Sequence, residues 1–258
     1  MTGRWIDTRA TAGELRLFCF PHAGGGAAFF HPWRAALAPD IAVAPVVLPG
    51  REARWRQPPY TRMAALLPAL CDAVAAAIDR PFALFGHSLG ALVAYEVAAR
   101  FSAEGGAAPL CLMVSARRPP HLPARRPSIH ELPTEQFLAE LQGLNGTADA
   151  LLHDPALVQA LLPGLRADFE LNDTYAPGPA RPLAVPVSAM VGDRDPLVDV
   201  AEMRRWREVT TGEFGLRVLD GDHFYLASGR AAVLDAVRSD VLRALRPACT
   251  PEAPCARS

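Results

Sequence analysis

The stretch Phe82-Ala83-Leu84-Phe85-Gly86-His87-Ser88-Leu89-Gly90 constrains this chain more than any other. An apolar run of strand type leads into it, a pattern of helical spacing follows it, and between them a serine has a glycine two positions to either side. A serine buried in a core needs no such setting. A serine carried on a sharp strand-to-helix turn does, because only residues without bulk at those positions let the backbone pass. The pattern is GxSxG in its proper context, and it predicts that Ser88 Oγ projects from the carboxyl end of a strand as a nucleophile, with a structural serine as the alternative. Leu89 then opens a helix, and its N–H, with the partial positive charge of the helix start, faces a developing oxyanion.

The remaining pattern has the rhythm that such a turn requires. Short apolar runs bounded by Gly, Pro or Asp occur at 15–21, 41–48, 82–86, 110–115, 185–191 and 216–219. Helical spacing occupies 63–79, 89–103, 199–210 and 231–245. Strands alternating with helices mean parallel strands joined by crossovers, hence a doubly wound, mostly parallel sheet of α/β class, with ligands bound beyond the strands' carboxyl ends. From 117 to 183 the rhythm stops. No good strand is visible there, but helical pieces are, at 134–141, 155–162 and 165–172; a structureless loop of that length is improbable, so a helical lid is predicted. The expectation is one domain over residues 1–245, with a disordered tail at 246–258.

With 258 residues and 50% apolar content a single core is readily built, and a formal net charge of −1 gives no reason to expect nucleic acid or an anionic membrane as partner. The cations are all arginine, since the chain has no lysine. Five cysteines without ligand spacing suggest neither a zinc site nor a disulfide framework. The beginning of the chain has no apolar segment of signal type, and the long apolar stretch 63–78 is broken by Pro68 and Asp72. A soluble, cytoplasmic monomer without a metal or other cofactor is the expectation.

A serine nucleophile needs a base, and the base needs an orienting acid. Of the seven histidines, His223 alone comes late in the chain and directly after a strand-like run, in Leu219-Asp220-Gly221-Asp222-His223-Phe224. The others are His22, His31, His87, His121, His130 and His153; His87, beside the nucleophile, is expected to point away from it. The order Ser, acid, His places the acid after the preceding strand, in Gly192-Asp193-Arg194-Asp195-Pro196, where Asp195 is favoured over Asp193 because it lies further into the loop facing the crevice. Asp220 and Asp222 read as turn formers. After the first strand, Pro21-His22-Ala23-Gly24-Gly25-Gly26 fits neither a dinucleotide fingerprint nor a phosphate loop. In a serine hydrolase that position supplies the second oxyanion donor, assigned here to the Ala23 N–H, with Leu89 giving the other.

Four motifs in this order resemble the discrete, type II thioesterases of polyketide and nonribosomal peptide pathways: Phe20-Pro21-His22-Ala23-Gly24-Gly25, Leu48-Pro49-Gly50-Arg51-Glu52, Gly86-His87-Ser88-Leu89-Gly90, and Gly192-Asp193-Arg194-Asp195 with Gly221-Asp222-His223-Phe224. The resemblance runs from about residue 16 to 245. It implies an α/β-hydrolase fold with a helical lid, hydrolysis of acyl groups from the phosphopantetheine arm of acyl or peptidyl carrier proteins, and Ser88, Asp195 and His223 as the triad. The chain departs from many members in having Leu89 where they carry Met, which leaves the backbone donor intact. Because carriers are acidic near the pantetheine, Arg117, Arg118, Arg125 and Arg126 at the start of the lid are candidate contacts for the carrier or the phosphate. The rival readings are a fatty-acyl chain-release enzyme, a general acyl-CoA thioesterase or carboxylesterase with the same triad, and a non-catalytic carrier-binding protein.

Overall fold

A computed structural model describes residues 4–9, 12–142, 155–176 and 178–245. Its centre is a six-stranded sheet, β1 (Leu15–Phe20), β2 (Ile41–Pro45), β3 (Phe82–His87), β4 (Leu112–Ser115), β5 (Val187–Gly192) and β6 (Phe214–Leu219). The spatial order is β2-β1-β3-β4-β5-β6 and every ladder is parallel. The first four strands and β5 are buried along their whole length, which is why they read as unbroken apolar runs. The edge strand β6 is only partly covered, and Val218 is exposed.

Alternate residues of each strand serve two different cores. Phe18, Phe20 and Leu84 face α2 (Met63–Ala75) and α3 (Leu89–Ala103), while Leu17, Cys19 and Phe85 face α1 (His31–Leu37) and a C-terminal helix, Arg230–Leu245. Helix α3 is buried on nearly all sides, so its sequence is apolar without a clear stripe. The chain passes from β1 outward to β2 and then returns to place β3 on the other side of β1, so the loops after β1 and β3 diverge. A crevice at such a reversal is where an open α/β sheet accepts ligand.

The lid between β4 and β5 contains α4 (Thr134–Gln142) and α5 (Pro155–Asp173). The two helical pieces expected at 155–162 and 165–172 are one helix, with Pro163 inside it. Proline there forgoes the bond to the carbonyl four residues back and ordinarily breaks a helix, but this one is held from outside. A Cβ on Gly164 would come within 3.3 Å of the Gly50 carbonyl, and a Cβ on Gly24 within 2.8 Å of Leu165 Cδ1. Tertiary packing at those close approaches keeps the two pieces in line. The helix expected at 199–210 is a short α6 (Val200–Arg204), started by an Asp199–Glu202 capping box and continued as a 3-10 turn over Arg205–Val209. After β6 come a single turn, α7 (Tyr225–Ser228), and the C-terminal α8 (Arg230–Leu245). The tail expected at 246–258 and His153 lie outside the described residues.

Candidate active site

Ser88 sits between β3 and α3 with φ 53° and ψ −119°, a left-handed conformation that a non-glycine residue adopts only when its surroundings impose it. The flanking glycines are required by overlap. A Cβ on Gly86 would collide with the Gly90 carbonyl, and one on Gly90 with the carbonyls of Phe20 and Pro21. The Ser88 N–H is tied to the Ser115 carbonyl of β4 at 2.8 Å. The turn is thus wedged between two neighbouring strands, with the serine hydroxyl directed into the pocket.

His223 reaches this hydroxyl from the loop after β6, with Nε2 at 3.1 Å from Ser88 Oγ. Its Nδ1 lies 2.9 Å from Asp195 Oδ2. A carboxylate can only accept, so Nδ1 carries the proton and Nε2 is free to take one from the serine. The other Asp195 oxygen accepts the N–H groups of Leu197 and Val198 at 2.8 and 3.2 Å. Both side chains are withdrawn from solvent, 4% exposed for His223 and 0% for Asp195. Of the two candidate acids, Asp195 is the one within hydrogen-bond distance of His223. Asp193 Oδ1 instead accepts the Gly221 N–H at 2.9 Å and secures the base of the histidine loop. Asp222 Oδ1 caps the same loop at the Phe224 N–H, 2.8 Å away, the turn role expected of it, and the exposed Asp220 pairs with Arg194 at 2.8 Å.

The remaining histidines near the site are two buried rings. His87 Nδ1 meets Ser115 Oγ at 2.9 Å, which in turn meets the Tyr225 hydroxyl at 2.5 Å, and the His87 ring centre lies 5.2 Å from that of His223. His22 is enclosed edge-on by Phe29, His87 and Phe224. Burial pushes the His22 imidazole down to about 4, helped by His223 and Arg51, and burial holds His87 well below the ordinary histidine range. Both are neutral packing groups beneath the His223 ring.

Ala23 and Leu89 line the same pocket, and their N–H groups have no hydrogen-bond partner among the described residues. The cavity holds about 670 Å³, with Ser88 and His223 on its floor and Phe29, Leu122, Leu161, Leu165 and Phe169 on its walls. It admits an apolar acyl chain leading away from the serine. Sequence reasoning missed two residues here, Arg51 and Asp168, which join each other and the Ala23 loop across 117 residues of sequence. The only local signal was that Arg51 belongs to the Leu48-Pro49-Gly50-Arg51-Glu52 motif.

The four lid arginines are not a free basic cluster. Arg117 turns inward and donates to Asn172 Oδ1 at 2.5 Å. Arg118 pairs with Glu202 at 2.7 Å, Arg125 with the same carboxylate at 2.9 Å, and Arg126 with Glu140 at 3.2 Å. Only Arg125 and Arg126 are half exposed.

Residues 15–241 match the family model of the thioesterase domain. The protein named linear gramicidin dehydrogenase LgrE, from Brevibacillus parabrevis, is 39% identical over 241 residues, 92% of each chain. Among solved structures, the type II thioesterase BorB from the borrelidin biosynthetic cluster aligns with a TM-score of 0.84 at 38% identity, covering 93% of this chain and 99% of its own. ClbQ, from the colibactin NRPS/PKS pathway, aligns at 0.85 with 28% identity over 90% and 99% of the two chains. With the family model spanning the whole sheet and full-length relatives of the type II kind, this chain belongs to the thioesterase family as a type II thioesterase.

Proposed function

We propose that the chain hydrolyses acyl thioesters presented on the phosphopantetheine arm of acyl or peptidyl carrier proteins, with Ser88 as nucleophile, His223 as general base and acid, and Asp195 as its orienting acid. The observation that carries this reading is the continuous chain Asp195–His223–Ser88 on the floor of an apolar pocket. His223 Nε2 takes the hydroxyl proton as Ser88 Oγ adds to the thioester carbonyl. The carbonyl oxygen becomes an oxyanion held by the Ala23 and Leu89 N–H groups, the second reinforced by the start of α3. Collapse breaks the C–S bond, and the pantetheine sulfur leaves as a thiol with the proton from His223. Water, deprotonated by the same ring, then adds to the acyl-serine ester, and collapse returns the proton to Ser88 Oγ and releases the carboxylic acid. Each proton and each charge is handled by side chains and amides of this chain, so the sequence needs no cofactor.

The carrier as partner is supported by the naming of the relatives for peptide and NRPS/PKS clusters. The test is intact-protein mass spectrometry of acylated carrier proteins, and of the same acyl groups on coenzyme A, with wild type and Ser88→Ala. Faster loss from the carriers, abolished in the variant, is the expected result. Equal or faster turnover of the coenzyme A esters would make the chain a general acyl hydrolase, and no turnover of either would leave only carrier binding.

A further inference from the structure

A buried ion pair beside the pocket has no part in the proton transfers above. Asp168 of α5 is 2% exposed and Arg51, in the turn after β2, 8%. Arg51 Nη2 donates to Asp168 Oδ1 at 2.6 Å, and its Nη1 donates to the Gly25 carbonyl at 2.8 Å. The second carboxylate oxygen, Asp168 Oδ2, accepts the Gly24 N–H at 2.7 Å. Further along, Glu52 Oε1 accepts the Ala28 N–H at 2.9 Å. Three side chains from outside thus grip the loop at residues 24, 25 and 28, and Gly24 is held in the left-handed region at φ 74°. Immediately before these grips stands Ala23, whose own N–H is left without a partner among the described residues.

Stability alone does not account for this arrangement. A buried ion pair contributes little relative to an apolar packing of the same volume, because desolvating both charges offsets their attraction. What it offers is geometry, since charge-assisted bonds are roughly twice as strong as neutral ones and the guanidinium fork fixes two acceptors in one plane. The pairing also cancels a conflict: a lone carboxylate next to the Gly24 amide would oppose the negative charge that develops on the substrate oxygen, and Arg51 neutralises it.

We propose that Asp168 and Arg51 are positioning residues for the oxyanion hole, holding the Ala23 amide on its target from the lid helix. The proposal rests on the reading of Ala23 as an oxyanion donor. Its consequence is that α5 and the catalytic loop form one mechanical unit, so the lid is anchored at the end that carries Asp168.

The test compares wild type with Asp168→Asn and Arg51→Lys on an acyl thioester. It adds binding of two inhibitors with the same acyl chain: a trifluoromethyl ketone, whose adduct with Ser88 places an oxyanion in the hole, and the amide isostere of the thioester, which resembles the ground state. The expected result is a fall in kcat of about 10–100-fold, below the full loss of a donor, with affinity for the ketone falling by the same factor. KM and affinity for the amide should stay within about threefold, and the acid limb of the pH–rate profile should not move, because His223 and Asp195 are untouched. If kcat stays near wild type, if ketone and amide weaken alike, or if neither variant folds, Asp168 and Arg51 are a structural anchor only and the proposal is overturned. Failure of the catalytic reading shows separately, as a wild type that does not turn over the thioester or a Ser88→Ala variant that does.

Discussion

His22 at the edge of the pocket and His87 packed against it are two neutral imidazoles, and their burial ties stability to pH. In the unfolded chain each ring titrates near the ordinary histidine value, about 6.5. In the fold His22 is pushed down to about 4 and His87 well below 6.5, both by burial first. Between those limits the unfolded chain binds more protons than the folded one, so stability rises with pH across the window and is lost as pH falls from 6.5 towards 4. For His22 the full loss is about 3 kcal/mol. Thermal unfolding at pH 7, 6, 5 and 4 should show a smaller drop in Tm for His22→Leu than for wild type, and equal drops would mean that His22 is not the titrating group. At this scale the meeting of Ser88 and His223 was legible, because GxSxG and a histidine after the last strand are local signals. The two aspartates of that loop were legible as neighbours of His223, and their partners divide them, His223 Nδ1 for Asp195 and the Gly221 N–H for Asp193. Arg51 and Asp168 were not: a pair 117 residues apart leaves no spacing to read.

The elements were read from continuity of apolar character, which works for strands buried on both faces and for α3. It failed at α5, where Pro163 and Gly164 look like a break and are instead the turn that lies against Gly50 and Gly24. An even closer approach makes Gly90 a sensitive position of the strand–turn–helix unit. Its missing Cβ is the space occupied by the Phe20 and Pro21 carbonyls, which are backbone and cannot swing aside. Gly90→Ala must therefore separate α3 from the end of β1, moving Ser88 and the Ala23 loop together. We expect little soluble protein, a Tm lower by more than 10 °C, a shift that corresponds to several kcal/mol for a chain of this size, and no labelling of Ser88 by a fluorophosphonate. A stable, reactive Gly90→Ala would show that the turn can relax without disturbing the site.

Across the whole molecule the charges nearly cancel, 26 basic against 27 acidic side chains, and the same local cancellation holds at the mouth of the pocket. The reading of Arg117, Arg118, Arg125 and Arg126 as one basic patch could not foresee this, because the carboxylates that meet the last three belong to other elements, Glu140 of α4 14 residues from Arg126 and Glu202 of α6 77 residues from Arg125. Arg117 is committed to Asn172 and Arg118 is largely covered, which leaves Arg125 and Arg126 as the pair available to a partner. Exposed pairs of this kind contribute at most about 1 kcal/mol each, so an acidic carrier can exchange its own carboxylates for Glu202 and Glu140 at small cost. Arg125→Glu with Arg126→Glu should then raise KM for an acylated carrier severalfold at low salt, with kcat unchanged. The effect should shrink as ionic strength rises towards 0.5 M, where the Debye length falls to about 4 Å. Esters without a carrier or a phosphate should be turned over as by wild type. A rise in KM that persists at high salt would place the lesion in the lid's own packing. An unchanged KM at low salt would move the docking surface elsewhere on the molecule.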